Sequence, residues 1–227
     1  MLLVEKEKTN KQVVSRQRVT DHGEVYTSER EVNAMLDLVK QETERIESRF
    51  LEPACGTGNF LIEILRRKLN IVANRYRKSQ IEFERYAVLA VSSIYGIDIL
   101  EDNIEACRKR LFELFEAGYK KLYKENIKEE CLDSIKFILS RNIIWGDALT
   151  LKTVDDKHEP IVFSEWSSVN GKMIKRRDFT YGNLLEAESS KVPGGLFEDV
   201  YESDPAFLPT PIKEFPLVHF LRISHVE

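Results

Sequence analysis

The chain has 227 residues, 42% of them hydrophobic and 32% charged, with a formal net charge of -4. This length supports one sizeable core, or one domain with an appended tail. The slight net acidity excludes whole-molecule attraction to a polyanion, so any nucleic-acid contact requires a local cluster of Lys and Arg. No apolar run approaches the roughly 20 residues that span a bilayer. The start, Met1-Leu2-Leu3-Val4, turns charged at Glu5, unlike a secretory signal. Three cysteines without paired spacing argue against a disulfide framework and for the reducing cytoplasm.

Residues 1–20 carry Lys6, Lys8, Lys11, Arg16 and Arg18 among polar residues and read as a basic arm or, equally, a solvated terminus. Ser28 followed by Glu31 fits a capping box, starting a helix with Val32, Met35, Leu36 and Val39 on one face. Arg49 to Ala54 is a short apolar run ending in a glycine-rich turn, and a second helix follows with Phe60, Leu61, Ile64, Leu65 and Leu69 as its stripe. Residues 70–78, mostly polar and basic, read as a loop. A helix over about residues 78–92 leads into Ile94-Tyr95-Gly96-Ile97-Asp98-Ile99, a buried strand with an acid near its end. Ile104, Cys107, Leu111, Leu114 and Phe115 mark the next helix, which Gly118 is expected to weaken near its end. Cys131, Leu132, Ile135, Ile138 and Leu139 mark another, and Ile143-Ile144-Trp145-Gly146-Asp147 a third strand.

This alternation predicts an α/β fold with a mostly parallel sheet and helices on both faces. Beyond residue 150 the pattern changes. Ile161-Val162-Phe163 reads as a fourth strand, and Lys172 to Tyr181 returns as a hairpin around Asn170-Gly171. Five of the seven prolines (Pro193, Pro205, Pro209, Pro211 and Pro216) crowd the end of the chain. The organisation is thus an arm at 1–20, a domain at 21–165, and a hairpin with a proline-containing tail at 166–227.

The most specific string is Leu51-Glu52-Pro53-Ala54-Cys55-Gly56-Thr57-Gly58-Asn59-Phe60, placed where a strand gives way to a helix. Glycine there lets the backbone approach a ligand, because no Cβ intervenes, and the helix N-terminus favours an anionic group. It lacks the third glycine of a dinucleotide loop and the lysine–hydroxyl pair of a phosphate loop. It resembles the first motif, (D/E)PxCGxGxF, of the amino-methylating, N6-adenine-specific DNA methyltransferases, in the arrangement of type I modification subunits.

The resemblance extends over about residues 20–150. It implies a Rossmann-like fold with a reduced C-terminal part, S-adenosyl-L-methionine as cofactor and DNA as partner. It places Glu52 at the cofactor's amino group, and Ala54, Gly56, Gly58, Asn59 and Phe60 along the methionine and ribose path. His22-Gly23-Glu24-Val25-Tyr26-Thr27 is similar to the family's N-terminal motif, which implies Tyr26 and Thr27 at the methionine end; alone, the string fits a helix-start turn as well. Gly96-Ile97-Asp98-Ile99 is similar to the acidic strand end, placing Asp98 and Ile99 at the ribose; an Asp capping the next helix is the alternative. Asn142 to Leu149 resembles the third motif and places Asp147 and Ala148 at the adenine, though Gly-Asp at a strand end is by itself a turn.

Members that methylate an exocyclic amine carry a fourth motif, (D/N/S)PP(Y/F/W), whose aromatic stacks on the flipped base. No Pro-Pro occurs in this chain, and no catalytic residue is assigned. The nearest segment in order, Phe163-Ser164-Glu165-Trp166-Ser167, fits better a tryptophan-bearing strand that larger relatives have there. Lys172, Lys175, Arg176 and Arg177 form the one sharp basic cluster, a phosphate contact or a solvated hairpin edge. The four histidines show no ligand spacing with the cysteines, so no metal is expected. Three readings follow: a methyltransferase for DNA adenine, alone or with a partner chain supplying the missing motif; a catalytically silent cofactor-binding protein of a restriction–modification or mobile-element system; and a methyltransferase for RNA or protein.

Overall fold

The computed structural model describes Arg18, Thr20, residues 27–189 and residues 209–226. Helix α1 (Glu29–Leu38) opens on both arms of the expected capping box. The Glu31 N–H donates to Ser28 Oγ, and the Ser28 N–H donates to the Glu31 carboxylate. Its Val32 and Leu36 are buried, whereas Met35 and Val39, expected on the same face, are exposed. A single turn, α2 (Lys40–Thr43), leads to strand β1 (Phe50–Glu52).

Helix α3 (Asn59–Tyr76) runs through most of the segment expected as a loop. Val72 and Ala73 extend the apolar stripe from Leu65 and Leu69 into the core, and Tyr76 stacks on Tyr86 with ring centroids 3.9 Å apart. That packing outweighs the polar composition. Helix α4 (Gln80–Ser92) then delivers β2 (Ile94–Asp98), buried along its whole length. Helix α5 (Glu101–Tyr123) passes straight through Gly118, which is buried, since a single glycine's low helix propensity is outweighed by the packing of the whole helix. Helix α6 (Glu129–Asn142) and strand β3 (Ile143–Asp147) complete the alternation.

The first sheet has the order β1-β2-β3-β4. Its first three strands are parallel, and the short β4 (Lys152–Thr153) runs antiparallel to β3. The sheet is therefore mixed. A second sheet is built on the hairpin of β5 (Val162–Val169) and β6 (Met173–Thr180). Asn170 and Gly171 turn it with φ of 46° and 75°. Helix α7 (Tyr181–Ser189) follows, and β7 (Lys213–Glu214) and β8 (Val218–His219) both pair with β6. The expected domain boundary at residue 165 falls inside β5, whose Trp166 joins the same hydrophobic cluster as α6.

The strand order explains where the helices lie. Crossovers between parallel strands are right-handed, so strands stepping in one direction place every crossover on one face. Helices α3 to α6 accordingly share one cluster with Ile94 and Ile143. The opposite face, with Tyr95, Ile97 and Ile144, is covered by Ile161 and Phe163 at the foot of the hairpin and by Tyr181 and Leu184 of α7. A layer of crossover helices on both faces needs the order to reverse past β1, and among the described residues no strand pairs with the outer edge of β1.

Candidate functional site

Parallel strands end together, and here each ends on an acid. Glu52 closes β1, Asp98 closes β2 and Asp147 closes β3. The register, Glu52↔Gly96 and Asp98↔Trp145, keeps the three tips at one edge of the sheet. That edge, beyond the carboxyl ends of the strands, is where open α/β sheets take ligands.

The turn after β1 is folded onto this edge. Gly56 and Gly58 have φ of 52° and 89°, a region that costs residues with a Cβ about 1–2 kcal/mol. The Cys55 N–H donates to the Ile97 carbonyl at 2.8 Å, and the Gly58 N–H to the Cys55 carbonyl at 2.8 Å. The Gly56 N–H donates to Asp98 Oδ2 at 2.8 Å, tying the glycine turn to the acid of the neighbouring strand.

Asp98 is buried, and its second oxygen, Oδ1, accepts from the Leu100 N–H at 2.9 Å and from Asn103 Nδ2 at 3.1 Å. A carboxylate offers about four lone-pair positions. Three are filled by the described residues, which leave one acceptor position of Asp98, on Oδ2, without a donor. The bond from Leu100 closes a turn just before α5, a contact that a purely structural acid also makes. Glu52 is half-buried; loss of solvent pushes its carboxyl above the usual range, against an opposing hydrogen bond from the Ala54 backbone. Asp147 lies near the surface. The Leu149 N–H at 2.9 Å and the Thr150 hydroxyl at 3.0 Å hold its carboxyl below the usual range and close a turn.

The remaining expected residues divide between the turn and the core. Asn59 Nδ2 donates to the Thr27 carbonyl at 3.1 Å, joining the start of α3 to the segment before α1. Ala54 is exposed on the turn. The Ile99 side chain is half-exposed beside Asp98, and its carbonyl accepts from Trp145 Nε1 at 3.0 Å. Phe60 and Ala148 pack against the two hydrophobic clusters. Tyr26, with the rest of His22 to Val25, lies outside the described residues.

Three residues that sequence reasoning did not assign to the site converge on it from α5. Asn103 holds Asp98, Cys107 lies under Gly58, and Arg110 reaches Thr57 and Asn59. Their spacing of four and three puts them on one helical face. The signal was available as two polar residues in line with the apolar Cys107.

Other sequence features settle into structural roles. Lys175 pairs with Glu214, Arg177 with Glu165, and Arg176, buried, with Asp178, so three members of the basic cluster are already neutralised. Ser164 Oγ donates to Asp178 across the hairpin, Glu165 also pairs with Arg49 just before β1, and Trp166 Nε1 donates to Asn142 of α6, so the segment nearest to a fourth motif is engaged in structural contacts. Among the described residues no three His, Cys, Asp or Glu side chains form a group able to hold a metal ion, and no helix is long and apolar enough to cross a membrane.

Compared with protein-family models, residues 26–159, more than half of the chain, match the one described as "MmeI, DNA-methyltransferase domain". The span takes in the glycine turn and the whole of the first sheet. No curated protein and no solved structure matches the chain.

Proposed function

The chain belongs to the MmeI DNA-methyltransferase domain family, and from that premise we propose that it is the cofactor-binding part of a cytoplasmic restriction–modification methyltransferase, with a Rossmann-like half-sheet that binds S-adenosyl-L-methionine for methyl transfer to the exocyclic amine of DNA adenine. The observation that carries this reading is the bond from the Gly56 N–H to Asp98, which joins a left-handed glycine turn to a strand-end acid flanked by Glu52 and Asp147.

The residues present fit the cofactor. The turn keeps a side chain off its backbone at Gly56, as a closely approaching ligand requires, while at Gly58 the missing side chain makes room for Cys107 beneath the turn. Asp98 has one acceptor position for a ribose hydroxyl; a second hydroxyl needs another partner or release of the Gly56 N–H. Glu52 is a carboxyl whose charge is disfavoured by burial, and a cationic ammonium beside it would reverse that cost. Asp147 offers the remaining capacity of its carboxylate to an amino group, and Ile99 gives an apolar surface beside a base. The cofactor supplies a methyl group on a positively charged sulfur, which leaves as a neutral thioether. The protein's part is alignment, with the tips of three strands fixing one bound molecule.

Calorimetry with S-adenosyl-L-methionine tests the pocket. Asp98→Ala should weaken binding by about 1–3 kcal/mol, the cost of leaving buried partners unpaired, and an unchanged affinity removes Asp98 from the site. Transfer of tritiated methyl to N6-methyladenine in mixed DNA supports the full reading, whereas label on RNA or protein moves the substrate. A second reading is favoured by the structural engagement of Ser164, Glu165 and Trp166: the chain binds the cofactor and either is catalytically silent or works with a partner chain that brings the fourth motif. Tight binding without label on any substrate selects that reading.

A further inference from the structure

A glycine turn is only as well placed as the elements around it, and this one receives little from its own helix. Gly58 is the N-cap of α3 and has no side chain to cap with, and the first turn of α3 contains no acid. Helices α1, α4, α5 and α6 all carry at least one acid there. The missing restraint comes from α5. Arg110 Nη1 donates to the Thr57 carbonyl at 2.7 Å, to Thr57 Oγ1 at 3.0 Å and to Asn59 Oδ1 at 3.0 Å. Asn59 uses its other amide atom to hold the Thr27 carbonyl at 3.1 Å. One guanidinium nitrogen thus joins the glycine turn, the first residue of α3 and, through Asn59, the segment that enters α1.

We propose that Arg110 is the positioning residue of this site, acting through Thr57 and Asn59 to set the glycine turn and the Thr27 segment at the separation a ligand between them requires. A cation placed at the positive end of a helix dipole is unfavourable unless acceptors surround it, and the three oxygens on Arg110 provide that compensation. With the guanidinium removed, those oxygens return to water, and the turn keeps its bonds to β2, from the Cys55 N–H to the Ile97 carbonyl and from the Gly56 N–H to the Asp98 carboxylate. The consequence for affinity rests on the cofactor reading above; the positioning itself does not.

The test therefore has two readouts. In the free protein, Arg110→Met should raise amide hydrogen exchange together in the peptides covering residues 56–60 and 27–32, by about tenfold for the loss of one part-buried charged hydrogen-bond partner. The rest of α3 should be unaffected. By calorimetry the same variant should bind S-adenosyl-L-methionine about tenfold more weakly with little change in melting temperature. Because a single nitrogen makes all three contacts and an ammonium carries three donors, Arg110→Lys should restore both values most of the way. Combined with Asn59→Ala, Arg110→Met should lose much less than the sum of the two single changes. Unchanged exchange in the two peptides overturns the proposal, as does a lysine variant no better than methionine, or normal cofactor affinity in Arg110→Met. Failure of the unaltered protein to bind the cofactor defeats the cofactor reading and leaves the exchange result to decide the role of Arg110.

Discussion

The contact between the glycine turn and α5 makes a quantitative prediction at Gly58. Its φ of 89° lies in the left-handed region, and a Cβ built there falls 2.6 Å from Cys107 Sγ. Alanine in that conformation costs about 1–2 kcal/mol. Forcing a methyl against a well-packed neighbour adds about 1–3 kcal/mol, and Cys107 has little room to yield, since it is fully buried. A total near 3 kcal/mol corresponds to a fall in melting temperature of roughly 6–12 °C for a domain of this size. Urea unfolding followed by circular dichroism measures it, and a double-mutant cycle with Cys107→Ala separates the parts. In the Cys107→Ala background the clash is gone and only the backbone strain remains, so the cost of Gly58→Ala should drop to about 1–2 kcal/mol. An equal cost in both backgrounds refutes the packing of Cys107 beneath the turn.

Lys68 is buried, with its ammonium donating to the Ile46 and Ser48 carbonyls and to Ser93 Oγ, and burial pulls its pKa down to about 7. Between about pH 7 and the ordinary lysine value the unfolded chain binds more protons than the folded one, so this residue makes stability rise with pH across that window. Lys68→Met should flatten the rise between urea midpoints measured at pH 7 and pH 9, and identical slopes would contradict it. Glu52→Gln removes a charge that burial disfavours, so the free protein should melt no lower at pH 7 while its affinity for S-adenosyl-L-methionine falls by about tenfold; a lowered melting temperature with intact affinity would show the carboxylate to be structural. Asp178→Ala strands the buried Arg176 guanidinium and should cost about 3–5 kcal/mol by thermal unfolding, whereas replacing both partners by apolar residues should recover most of the loss.

Much of the fold could be read from the sequence because its signals were local. The Ser28–Glu31 cap, the apolar stripe of α3 from Phe60 to Leu69, and the runs ending at Asp98 and Asp147 each lie within a dozen residues and carry their own periodicity. What was misread depended on distant partners. Residues 70–76 look like a polar loop until Tyr76 finds Tyr86 and Val72 finds the core. Lys175, Arg176 and Arg177 read equally as a phosphate contact or a hairpin edge until Glu214 and Glu165 on neighbouring strands, and Asp178 two residues along the same strand, are seen to pair with them. Within the site, the glycine string and the three strand-end acids were legible as motifs. The support from α5 showed only as two polar residues in line with Cys107; what Arg110 holds was not legible, because Thr57 lies 53 positions away.

Among the described residues no strand pairs with the outer edge of β1, and that border limits what can associate with it. An uncovered strand edge is a template on which a foreign chain can lengthen the sheet. Here the template is three residues long, and alternation along the strand turns only the peptide groups of Leu51 outward, since Phe50 donates to Ser93 on the β2 side. Pro53 follows with no N–H to offer, and the charged Arg49 precedes. A visiting strand would gain about one rung of hydrogen bonds, too few to hold it without side-chain contacts such as those the exposed Leu51 provides. Indiscriminate edge-to-edge stacking is therefore disfavoured, and only a strand whose side chains match this short border can add to the sheet.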